Sequence, residues 1–345
     1  MKTKRNSIYM LTLLGAIVAC SKDSVQNPEK EIIVELPKDT TKVESALMLG
    51  VNGHPLNQEA YLALTPAKQI ELIANLGMKI YRIDVTVDPS TGYMKMHDNF
   101  LELYRLADSA GIILLPMLPI DDLTFEETEQ EARESGYRRG INFATTYKDY
   151  FDYYNVGNEL DIDCILPDSV GTSEEHYDAK KFAVIAANLR GIIEGIRAVD
   201  NAAKTMVNTT WLHYGYLFML ENYGVEFDII AYHWYDDMEE TAAKHYDIPD
   251  ITKLLTEMFT KQIWFTEFNI RNADGKESDL KQRDFLNTFI QKCRNNPGVA
   301  AAVIYELLDQ PVFNNIESHY GLYRWSMLGN SVEPKLWALE HAILR

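Results

Sequence analysis

Asn155-Val-Gly-Asn158-Glu159-Leu160 and Ile263-Trp-Phe-Thr-Glu267-Phe-Asn269 decide how this chain folds. Each is a short apolar run whose last residues turn polar and include one glutamate. A strand that ends this way holds a carboxylate at the rim of a sheet. The chain between the two strings has room for several further strand–helix units. Paired carboxylates at one end of a parallel barrel are therefore the arrangement to test first.

Working outward, strand-like runs recur at Ala46–Gly53, Ile80–Val85, Ile112–Met117, Phe151–Val156, Thr205–Thr209, Phe227–Tyr232, Gln262–Thr266 and Val299–Tyr305. Most are continuously apolar rather than alternating, as in parallel strands buried on both faces. Helical patterns separate them. Thr65-Pro66 supplies a cap and a first-turn proline, Ile70, Ile73 and Leu76 share one face, and Gly77 closes the turn. Further patterns cover 99–110, 178–199, 278–294 and 334–343, with weaker ones at 125–150, 214–223 and 250–259. Eight alternations predict a (β/α)8 TIM barrel as a single catalytic domain, with an open doubly wound sheet as the alternative. Gly50-Val-Asn-Gly53-His54-Pro55 is too short for a phosphate loop and ends in proline, which speaks against nucleotide binding.

The barrel is expected to span residues 44–345. Ahead of it, Lys2, Lys4 and Arg5 precede a short apolar run that ends at Ala19-Cys20, the pattern of a secretory signal over residues 1–19. That run is too short to span a bilayer. Cys20 at the junction resembles the lipidation site of bacterial lipoproteins, which implies an outer-membrane lipoprotein facing the periplasm or the cell surface. Residues 20–43 are rich in polar residues and read as a flexible tether.

The formal charge is −18, and loss of the three positive residues in the leader takes it to −21. Such a surface argues against nucleic acid as a partner, and leaves lipid at the N-terminus as the expected membrane contact. A monomer is expected. Of three cysteines, Cys164 and Cys293 remain after Cys20, and both are expected to be free thiols because they fall at opposite ends of the barrel. The eight histidines are scattered, so neither metal nor cofactor is expected.

Barrel chemistry sits at the C-terminal ends of strands. Those positions hold Asn52 and His54, then Arg82 and Asp84, then Asn158 and Glu159, then Asn208 and Trp211. They continue with His233, Trp234 and Tyr235, then Glu267 and Asn269, then Tyr305, Glu306 and Asp309. Aromatic faces stack on sugar C–H surfaces, while amides and carboxylates bind hydroxyls, so the mixture suits a carbohydrate. Glu306 and Asp309 fit either hydroxyl binding or stitching of the last loop.

Tyr81-Arg82-Ile-Asp84, Gly157-Asn158-Glu159, Phe227-Asp-Ile-Ile-Ala-Tyr-His233-Trp-Tyr235 and Phe265-Thr-Glu267 together resemble the clan A glycoside hydrolases, near families 39, 5 and 53, across the barrel. The resemblance implies a retaining glycosidase with Glu159 as acid/base and Glu267 as nucleophile. Asn158, Arg82, His54, Asn52, Trp211, His233, Tyr235 and Tyr305 are then the expected substrate-binding residues. In this scheme Glu159 is protonated at rest, kept so by repulsion from Glu267. Tyr305 stands where many members carry tryptophan. The competing readings are a lipid-anchored glycan-binding protein on an inactive barrel and a metal-dependent hydrolase on the same fold.

Overall fold

Eight apolar runs pair in sequence order and close on themselves. In the computed structural model, which describes residues 47–88, 90–271, 275–313 and 315–342, the strands are β1 (Met48–Gly53), β2 (Ile80–Asp84), β3 (Ile113–Leu118) and β4 (Tyr153–Val156). They continue as β5 (Lys204–Thr210), β6 (Ile229–Tyr235), β7 (Gln262–Asn269) and β8 (Val299–Ile304). All pairings are parallel, and β8 returns to β1, so the sheet has no edge and the TIM-barrel expectation holds. The leader 1–19, the tether 20–43 and Cys20 lie outside the described residues.

Helices cover the barrel. They are α1 (Glu59–Ala63), α2 (Pro66–Asn75), α3 (His97–Ser109), α4 (Glu129–Tyr147), α5 (Asp161–Cys164), α6 (Ala179–Val199) and α7 (Tyr214–Tyr223), followed by α8 (Asp236–His245), α9 (Ile251–Met258), α10 (Gly275–Arg294) and α11 (Leu336–His341). Thr65 caps α2 through its hydroxyl, as its place before Pro66 predicts, and Thr128 with Glu131 forms a capping box on α4. Helices α4 and α6 approach unusually closely because Gly136 and Gly140 face Gly191 and Gly195. A Cβ at Gly191 would stand 2.1 Å from the Arg133 carbonyl oxygen.

Inside the barrel the side chains form layers. The lower one is apolar and holds Ile80, Leu115, Met206, Ile229, Ala231, Trp264, Ala301 and Val303. Two residues further along the same strands the inward positions become polar, with Arg82, Asn208 and His233 all buried. An apolar floor beneath a polar rim confines the chemistry to one end.

Strand β7 breaks the alternation. Tyr232 pairs with Phe265, but the next residue, His233, pairs with Glu267, so Thr266 is skipped by a bulge. With Trp264 facing inward, strict alternation would send Thr266 into the barrel and Glu267 out among the helices. The bulge reverses that and turns Glu267 to the rim. Beyond β8, β9 (Tyr323–Ser326) and β10 (Ser331–Pro334) make an antiparallel hairpin that the sequence reading did not anticipate. Cys164 and Cys293 are both free and buried, as expected. Among the described residues no helix is long and apolar enough to cross a membrane.

Candidate active site

Arg82 organises the rim. Its Nε donates to Asn155 Oδ1 at 2.8 Å and one terminal nitrogen to Asn158 Oδ1 at 2.8 Å. The other terminal nitrogen reaches Asn52 Oδ1 at 2.8 Å and Glu267 Oε1 at 2.7 Å. A planar guanidinium suits this task, because its donors point in fixed directions at once. Asn52 is fully engaged: besides accepting from Arg82, its amide donates to the backbone oxygens of Thr266 and Ile304. It ties β1 to β7 and β8 beside Arg82, and both hydrogens of its amide are spent on backbone oxygens.

Glu267 takes a second hydrogen bond on its other oxygen, from the Tyr235 hydroxyl at 3.0 Å. Both carboxylate oxygens are thus held. Glu159 lies across the rim, where β4 ends in two left-handed residues, Gly157 (φ 75°) and Glu159 itself (φ 48°). Its backbone N–H donates to Asn208 Oδ1 at 3.0 Å, and its Oε1 meets His233 Nδ1 at 2.9 Å. The Nε2 of that imidazole lies 2.9 Å from Asn208 Nδ2 and 3.5 Å from Glu267 Oε1. One buried histidine therefore stands against both glutamates.

Burial opposes charge on Glu159, but the hydrogen bond and charge of His233 outweigh it, aided by Thr210 and Arg82. The carboxyl is held below its usual range. The sequence expectation of a protonated Glu159 weighed only the second carboxylate, and the His233 imidazole beside the first acts in the opposite direction.

A second polar group flanks the first. His54 Nδ1 meets Asp84 Oδ1 at 2.9 Å, and its Nε2 lies 3.4 Å from both Glu306 Oε2 and the Tyr305 hydroxyl. Burial alone would lower His54, but the charge and hydrogen bond of Asp84, with Glu306 behind, push it up to about 9. Burial also pushes Glu306 up to about 7, although the His54 charge and hydrogen bonds from Tyr61 and Gln310 act the other way. Asp309 pairs with Lys335 at 2.7 Å, both buried, and stitches the loop after β8. That settles one of the two open choices.

The structure brings Glu159, Glu267, Asn158, Arg82, His233 and Tyr235 into one hydrogen-bonded network, with His54 and Tyr305 in the flanking group. Trp211 stands apart from these contacts, half-buried and stacked on Trp234 with ring centroids 6.1 Å apart. Tyr61 and Gln310 escaped the sequence reading because neither sits on a barrel strand. Asn155 sits inside a strand, where only its inward register marks it. A hollow of about 360 Å³ borders Asn158, between Pro119, Ile120, Phe125 and Asp163. A larger cleft of about 920 Å³ is lined by residues of α4, α6 and α7 and by none of the rim residues, among ion-paired side chains such as Arg133, Arg190 and Glu194. Among the described residues no group of three or more His, Cys, Asp or Glu could hold a metal ion.

Residues 187–319 match a family described as glycosyl hydrolase catalytic core, a span that contains Glu267 but begins after Glu159. No curated protein matches the chain significantly. Among solved structures, it is similar to the β-glucosidase of Thermotoga maritima in complex with a methoxycarbonyl-substituted glucoimidazole. The TM-score is 0.64 at 12% identity, over 88% of this chain and 99% of that one. The same enzyme in complex with cyclophellitol gives 0.63 at 12% identity, over 88% and 99%. A structure described as a family 1 β-glucosidase from that organism gives 0.62 at 13% identity, over 86% and 96%. At such identities these likenesses establish the barrel. The catalytic-core match, on a barrel with two glutamates at its rim, makes the protein a glycosidase.

Proposed function

We propose that the protein is a retaining glycosidase of the clan A type, with Glu159 as acid/base and Glu267 as nucleophile. The observation that carries this reading is the convergence of the two glutamates on His233 from β4 and β7, with Glu267 alone gripped by Arg82 and Tyr235. A nucleophile needs its attacking oxygens fixed before the sugar arrives, and Glu267 has both in place.

Glu267 attacks the anomeric carbon and forms a glycosyl ester, while Glu159 passes a proton to the departing oxygen. Sugar binding strips the remaining solvent from Glu159, strengthening the burial effect that favours its acid form. Once Glu267 is esterified its charge is gone, and Glu159 deprotonates the incoming water. Asn158 is suited to the sugar 2-hydroxyl: its Oδ1 already accepts from Arg82 and from Asn208 at 3.1 Å, which leaves its NH2 group as the donor for a hydroxyl. His54 and Asp84 present polar edges to other hydroxyls. Asn52 serves as a brace for Arg82, and Trp211 as an outlying aromatic surface.

Because the similar structures are named β-glucosidases, aryl and alkyl β-glucosides are the first substrates to try. Glu267→Ala should abolish turnover while sparing binding, and azide should restore part of it with an inverted product. Glu159→Ala should slow poor leaving groups far more than activated ones. Near-normal turnover in either variant would sink the assignment. The chain ahead of the barrel is proposed to export the enzyme as an outer-membrane lipoprotein acylated at Cys20, which Cys20→Ala would release from the membrane fraction.

A further inference from the structure

A second acid–histidine pair lies behind the first, and no catalytic step uses it. Asp161 begins α5 two residues after Glu159, and its side chain is fully buried. Its Oδ2 meets His213 Nδ1 at 2.5 Å and accepts from the Thr210 backbone N–H at 3.3 Å. His213 comes two residues after Trp211. Both Glu159 (φ 48°) and Trp211 (φ 54°) hold left-handed backbone that side-chain-bearing residues rarely adopt. The buried pair therefore joins two strained turns at the same offset, one at the end of β4 and the other at the end of β5.

The surroundings lock the pair. Gly171 packs so tightly on the imidazole that a Cβ there would stand 2.1 Å from His213 Cδ2. The Tyr177 hydroxyl donates to the carbonyls of Gly171 at 2.7 Å and His213 at 3.3 Å. Thr210, whose N–H is taken by Asp161, directs its hydroxyl to the backbone carbonyl of His233 at 3.5 Å. A path thus runs from His213 through Asp161 and Thr210 to His233, whose imidazole meets the Glu159 carboxylate at 2.9 Å. Strained conformations persist only where neighbours over-determine them, and here the neighbours are this pair.

We infer that Asp161 and His213 are positioning residues for proton transfer by Glu159, holding the β4 and β5 turns in the one register that aims its carboxylate. This rests on the acid/base role proposed for Glu159. The pair leaves Glu267, Arg82 and Tyr235 untouched, so its loss should spoil proton donation without spoiling nucleophilic attack. Ångström-scale misplacement of a catalytic group can cost about a hundredfold in rate.

The test compares kcat/KM on two glycosides of the same sugar, an alkyl glycoside that needs a proton to depart and a dinitrophenyl glycoside that does not. His213→Ala should lower the alkyl value by about ten- to a hundredfold and leave the dinitrophenyl value within about threefold of wild type. His213→Asn, whose amide nitrogen can take the place of Nδ1, should recover most of the alkyl activity. Equal losses on both substrates, or no loss on either, overturn the inference. If His213→Ala does not fold, Asp161→Asn is put through the same pair of substrates, with the same two overturning results. Glu159→Gln is run alongside. Should it show no split, the acid role itself falls; a split there without one in the His213 and Asp161 variants removes this inference alone.

Discussion

Replacing Glu306 by glutamine should change how stability depends on pH. Glu306 lies at the end of β8, 1% exposed, accepting from the Tyr61 hydroxyl at 2.6 Å and from Gln310 at 3.1 Å. Burial raises its carboxyl from 4.5 to about 7. In that window the folded chain holds a proton that the unfolded chain has lost. Stability from this group is fully present below about 4.5 and declines as pH rises through 7. The full shift corresponds to about 3 kcal/mol at ~1.4 kcal/mol per unit. Glutamine has a similar shape, can accept from Tyr61 and Gln310, and does not titrate. Urea unfolding of both proteins at intervals from pH 4.5 to 8 reads the difference, since all other titrating groups are shared apart from a lowered His54. The variant should be the less stable protein at pH 4.5 and gain steadily on wild type up to pH 7.5, by an amount of order 3 kcal/mol. Parallel stability curves would refute the reasoning, because they would mean that Glu306 titrates alike in both states.

Two further outcomes are expected. Tyr235→Phe removes one hydrogen bond to Glu267, and bonds to charged groups are worth about 1.5–3 kcal/mol. The kcat for glycoside hydrolysis should therefore fall by roughly ten- to a hundredfold with little change in melting temperature, as steady-state kinetics and a thermal melt will show. Gly191→Ala pushes a methyl group against the Arg133 carbonyl, and α4 and α6 must part by about an ångström to accept it. The overpacking cost of about 1–3 kcal/mol exceeds the ~1 kcal/mol of helix propensity gained, so urea unfolding should show a net loss; a stabilised variant would refute the close approach.

The barrel was legible because buried parallel strands are spelled as continuous apolar runs, and because their helices carry caps such as Thr65-Pro66 that act locally. Strand ends are equally local, which is why Glu159, Arg82 and His233 could be picked out from spacing alone. Side-chain partners are not local. Nothing in the chain near Asn52 says that its amide hydrogens go to Thr266 and Ile304, far away in sequence, or that its oxygen accepts from Arg82. The imidazole beside Glu159 was hidden for the same reason, since His233 reaches it only after β4 and β6 come to lie on either side of β5.

Sequence by itself thus determined the repeating strand–helix order, the polar rim and the two glutamates, all of which rest on hydrophobic patterning within short windows. Only tertiary structure decided which way Glu267 points. Alternation from Trp264 would have sent it out among the helices, and the bulge that skips Thr266 exists only in the register of β7 with its neighbours β6 and β8. A register belongs to two strands at once, so no single stretch of sequence can state it.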